Sequence, residues 1–62
     1  MLSRIDVQRT AAMLMYRLGD VAVAAAVLRA QEALAQGKFG VMVDWWRVAE
    51  AVAAHGSAGG FV

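Results

Sequence analysis

Residues 20–37 read DVAVAAAVLRAQEALAQG. Val21, Val23 and Val27 are β-branched and taken alone lean towards strand. They are embedded among alanines, with Leu28 and Leu34, all strong helix formers. Periodicity decides in favour of a helix: Val23, Val27, Ala30 and Leu34 recur at the three- and four-residue steps of one helical face. Arg29, Glu32 and Gln36 mark a narrow polar stripe, and Val21, Leu28 and Ala35, with Ala24 beside them, form a second apolar strip. A helix with so little polar surface is normally buried on most of its circumference, so this one needs cover from two sides. Gly19 and Asp20 mark its start, a left-handed stop for the preceding helix followed by a carboxylate cap. Gly37 ends it.

Upstream, Ser3 and Asp6 have the spacing of a capping box with Asp in place of Glu. The helix they open runs to Leu18, with Val7, Ala11, Leu14, Met15 and Leu18 as its main apolar face. Ile5, Ala12 and Tyr16, with Met13 near them, form a weaker second strip, while Arg4, Arg9 and Arg17 are spread around the helix. Downstream, Gly37-Lys38-Phe39-Gly40 is a short connection that makes the flanking helices antiparallel neighbours. The third helix presents Val41, Trp45, Val48 and Val52 on its apolar face, with Met42 and Ala49 beside them. Asp44, Arg47 and Glu50 are assigned to its polar side, and Trp46 to the border of the apolar arc. The pattern stops at His55, so residues 56–62 read as a flexible glycine-rich tail ending in Phe61-Val62.

The expected fold is therefore all-α, a compact three-helix bundle with helices at about 4–18, 20–36 and 40–54 in a single domain over residues 1–55. The chain has 62 residues and an apolar fraction of 61%, much of it alanine, so its core is thin and its charges are few. Domains of this size bury only roughly 60% of the surface their unfolded chains expose and need further support, of which self-association is the simplest. There is no cysteine, which excludes disulfides, thiol chemistry and cysteine-based zinc sites. The absence of proline suits a chain that is helical almost throughout. A net charge of +1 gives no bias towards nucleic acid, membrane or acidic substrates. Charges interrupt the apolar runs, so no membrane span is expected, and the amino terminus lacks the long apolar core of a secretory signal. A cytoplasmic location is the expectation.

The motifs that could carry chemistry have plainer readings. Gly37-Lys38-Phe39-Gly40 has the GxxG form of a nucleic-acid-clamping loop, but that module needs strands, and a phosphate loop needs a longer spacing. His55 is the only histidine and suits a helix end, without companion metal ligands or a nucleophile. The carboxylates are scattered, with no pair placed for acid–base work. No catalytic residue, metal ligand, cofactor or small-molecule substrate is assigned. The Trp45-Trp46 pair is more informative: Trp45 lies mid-face as a core anchor, whereas Trp46 reads as an interface anchor. Trp46, with Tyr16, Ile5, Ala12 and Met13, and Phe61 from the tail, forms the expected contact surface.

Ala11-Ala12-x-Leu14, Gly19-Asp20, Arg29, Leu34, Gly37, and Trp45-x-x-Val48 with Ala51 resemble a family of very short helical bacterial proteins classed as a domain of unknown function. The resemblance spans residues 8 to 54 and implies three helices, no known activity and no functional residue; where that family commonly has histidine before the glycine, this chain has Leu18. The functional expectation is a non-catalytic protein–protein interaction module, either a homo-oligomer or a small accessory subunit of a larger complex. The alternative is a small regulator that binds nucleic acid or a nucleic-acid-associated protein, which clustering of Arg4, Arg9 and Arg17 on one surface would favour.

Overall fold

The computed structural model describes the backbone of residues 3–60 and the side chains of residues 3–55. The fold is all-α, with no strand among the described residues. Helical backbone runs unbroken from Arg4 to Ala35 and again from Phe39 to Gly60, so the helical stretches are two and not the three separated ones expected. The first is divided by a 3-10 turn at Gly19–Val21 into α1 (Arg4–Leu18) and α2 (Ala22–Ala35); the second is α3 (Phe39–Gly60).

Local chemistry accounts for most of the boundaries. The Ser3 hydroxyl accepts from the Asp6 N–H at 3.2 Å, and the Asp6 carboxylate accepts from the Ser3 N–H at 3.3 Å and its hydroxyl at 2.9 Å, a complete capping box. At the far end of α2, Gly37 sits at φ +73. Its N–H donates to Leu34 at 3.0 Å and the Lys38 N–H to Ala33 at 2.8 Å, the paired bonds of a Schellman stop. Gly19 adopts φ 55, ψ −120, a conformation that L side chains avoid. A straight helix over the 32 residues of Arg4–Ala35 would span about 48 Å at 1.5 Å per residue. The whole molecule measures 40 × 21 × 18 Å, so the run is bent.

Two boundaries differ from expectation. Asp20 does not cap α2: Val21 occupies that position and no side-chain bond caps the helix, because the 3-10 turn itself carries the chain through the corner. The third helix does not end at Ala54 but continues to Gly60, where a tail over residues 56–62 was expected. Each glycine there costs about 1 kcal/mol of helix propensity, but with no proline nothing forbids the helix. Residues 61 and 62 lie outside the described residues.

The three segments share one small core. Val7 and Ala11 of α1, Ala22 and Ala26 of α2, and Val48, Ala49 and Val52 of α3 form it, with Leu14, Met15, Val27 and Trp45 half-buried around it. Thr10 lies across a cleft from Val41 and Trp45, and Met15 across another from Val52, so α1 runs parallel to α3. Val23 lies near Val52, and Gln36 near Val41, so α2 runs antiparallel to α3. The largest fully buried side chain is Val48.

The buried face of α2 departs from the sequence reading. Ala22, Ala26, Ala30 and Ala33 are buried, whereas Val23 and Leu34 are exposed and Val27 is half-buried. At about 100° per residue, the buried arc is rotated by roughly 75° from the one marked by the large side chains. Alanines inside let helix axes approach closely, while valine and leucine there would hold them apart. Asp44 is also misplaced by the sequence reading, being buried at 7% exposure while Arg47 and Glu50 are exposed. Three-residue steps drift by about 60° per step around a helix. Asp44 therefore falls at the edge of the Val41–Val48 face and not beside Glu50.

Candidate interaction surface

Because alanines fill the interior, most of the large apolar side chains lie outside it. The accessible surface is 4552 Å². A compact protein of 6.6 kDa exposes about 3,900 Å², so this chain carries a surplus of roughly 700 Å². The 22-residue α3 contributes by outrunning the 14-residue α2.

The expected contact residues fall on two separate surfaces. Ile5, Ala12, Met13 and Tyr16 are all exposed on α1, on the side opposite Val7 and Ala11, so they point away from the core. Tyr16 is 93% exposed. Trp46, at 42% exposure, lies on α3 and is not brought to that strip. Relative to the core-facing Val48 it is turned about 160° around α3, onto the flank that also bears Phe39 and half-buried Met42. Phe61 lies outside the described residues.

That α3 flank adjoins α2. Arg29 and Gln36 on one side of α2 border Val41 and Trp45 across a cleft of about 210 Å³. The opposite side of α2, carrying Val23, Val27 and Leu34, therefore borders the opposite side of α3, where Trp46, Met42 and Phe39 stand. The sequence reading missed Phe39, Val23 and Leu34 as surface residues, having placed the last two in the core. Their spacing was visible; their exposure was not.

The cleft between α2 and the start of α3 brings Arg29, Glu32 and Lys38 to one rim. A cleft of about 450 Å³ beneath the Gly19 corner is lined by Met15, Gly19, Asp20, Val23, Val52 and Ala53, with Asp20 as its single ionisable group. Among the described residues no three His, Cys, Asp or Glu side chains group as metal ligands. His55 is exposed. Asp6 has its carboxyl held below the ordinary value of 3.8, first by the Ser3 hydroxyl and then by the Ser3 backbone N–H, but it serves the helix cap. Arg4, Arg9 and Arg17 stand at least about 80° apart around α1 and make no common basic face.

The Arg4–Ala35 run is long and apolar enough to cross a bilayer by length and composition, although its charges were expected to interrupt it, and only 17% of its most apolar 18-residue window is buried. Any such window of this 32-residue run contains Leu18 to Val21, and with them the Gly19 bend and the Asp20 carboxylate.

No family model, curated protein or solved structure matches this chain.

Proposed function

We propose that this chain is a non-catalytic protein–protein interaction module, built as a three-helix bundle in which α1, α2 and α3 share the Val7–Ala26–Val48 core. One observation carries the reading: the inversion of side-chain size, with alanines buried on α2 while Val23, Leu28 and Leu34 are exposed, and Trp46, Phe39 and Tyr16 exposed on its neighbours. Exposed apolar surface on this scale usually marks a contact, and a core whose largest fully buried side chain is a valine gains from one. Another protein, a second copy first, fits better than a bilayer. A carboxylate near the centre of a membrane helix costs about 2.5–3.5 kcal/mol, and the one candidate run among the described residues is bent at Gly19 beside Asp20. The dispersal of the arginines of α1 leaves nucleic-acid binding without a favouring observation. A cytoplasmic location belongs to the same proposal.

The test is the thermal midpoint as a function of protein concentration. For an associating chain, a 100-fold increase in concentration adds about 2.7 kcal/mol of apparent stability, equivalent to roughly 10–20 °C for a domain this small. A midpoint independent of concentration, with Trp46 and Tyr16 fluorescing as solvated side chains, would sink the reading.

A further inference from the structure

The cleft of about 210 Å³ between α2 and the start of α3 combines a charged rim with an aromatic wall. Arg29 and Glu32 stand one turn apart on α2, and Lys38 joins them from the turn that leads into α3. Gln36 adds an amide, and Val41 with half-buried Trp45 supplies the apolar side. Lys38 also holds the N-cap position of α3, its carbonyl accepting from the Met42 N–H at 2.9 Å. A lysine side chain has no acceptor to offer the first-turn N–H groups, so the positive end of α3 adds to the two cations. Val41 and Trp45 line a second cleft as well, of about 390 Å³ on the Thr10 side, where the charged residue is Asp44. Cations therefore border the Val41–Trp45 ridge on its α2 side, and an acid alone borders it on its α1 side.

We propose that the α2–α3 cleft binds a small aromatic monocarboxylate, with its carboxylate between Arg29 and Lys38 and its ring against Trp45. The charges select the headgroup. Two cations against one acid leave a single positive charge, which a monoanion neutralises, while Glu32 opposes the second charge of a phosphate ester. The planar fork of Arg29 matches a carboxylate in two parallel hydrogen bonds, and the Gln36 amide supplies a further donor. Size and the indole select the body. A cavity of about 150 Å³ accepts a benzene ring, so one of about 210 Å³ holds a single ring with its carboxylate. The indole of Trp45 favours an aromatic partner, offset-stacked or edge-on, over an aliphatic one. These residues belong neither to the Phe39–Trp46 flank nor to the α1 strip, so the site goes beyond the interaction-module reading and does not depend on it.

The test follows the two tryptophan indole N–H signals of the full chain by NMR, assigned with Trp46→Phe, during titration with benzoate at fixed protein concentration. Benzoate should shift the Trp45 signal saturably in the millimolar range and leave Trp46 almost unmoved, with acetate, benzylamine and phenyl phosphate all binding more weakly. Arg29, Glu32 and Lys38 are exposed, so their variants keep the fold. Arg29→Gln and Lys38→Gln should each raise the benzoate dissociation constant about 3–5-fold, and Glu32→Gln should lower it about 2–5-fold. Arg17→Gln, at the other end of the molecule, should change nothing. No Trp45 shift at any soluble benzoate concentration, equal shifts at both indoles, or a dissociation constant indifferent to Arg29 and Lys38 would overturn the site. Benzylamine, acetate or phenyl phosphate binding as tightly as benzoate would overturn the ligand class.

Discussion

Enlarging Ala26 should be among the most damaging single changes this chain can suffer. Ala26 is fully buried in the cluster that joins Val7 and Ala11 to Val48, Ala49 and Val52. Ala26→Leu inserts three further carbons where the helices approach on alanine. Overpacking of a closed core costs about 1–3 kcal/mol. In a domain this small each kcal/mol moves the midpoint by about 8 °C, so the expected loss is roughly 8–24 °C, read by thermal or urea denaturation at fixed protein concentration. Leu28→Ala is the matched control. Leu28 is 58% exposed on the outer strip, and exposed positions usually change stability by no more than about 0.5 kcal/mol. The arrangement suggested by the large side chains alone reverses the ranking, because a face centred on Val23, Val27 and Leu34 puts Ala26 at its margin. A neutral or stabilising Ala26→Leu would refute the alanine interior and everything built on it.

The remaining expectations concern the caps and the corner. Gly37→Ala should cost about 1–2 kcal/mol from its left-handed φ of +73. Gly19→Ala, at φ 55, ψ −120, should cost about 1–3 kcal/mol; neither glycine has atoms within 4 Å of an added Cβ, so a neutral result at either in denaturation would contradict the backbone geometry. Asp6 is held below 3.8 in the folded chain by the Ser3 hydroxyl, so its contribution is complete above that pH and is lost as pH falls through the lowered value. An NMR titration should show its carboxyl returning towards 3.8 in Ser3→Ala, and an unchanged midpoint would remove the capping box from the account.

Much of the architecture was legible because it is local. Ser3 and Asp6 announce a cap, Gly19 and Gly37 announce changes of direction, and Trp45 with Val48 and Val52 announces a core-facing row; each acts through its own backbone or a single helical face. The buried side of α2 was not legible, because alanine adds little to an apolar pattern yet permits the closest approach between helices. Periodicity therefore pointed to Val23, Val27 and Leu34, the residues that stand beside the contact. Asp44 was misread for a related reason, since a run of polar residues three apart drifts from one face to the next. The continuation of α3 past Ala54 was hidden by composition: glycines weaken a helix without ending it. The exposure of Tyr16 and Trp46 matches their assignment to the surface, but only the folded arrangement shows that they look out from different sides.

The most direct test of the central claim is the absolute mass of the unmodified chain, by light scattering on a sizing column across about two decades of concentration. The account predicts a mass at or above twice the 6.6 kDa of one chain, falling towards the monomer on dilution. A species of 6.6 kDa at every concentration would contradict it.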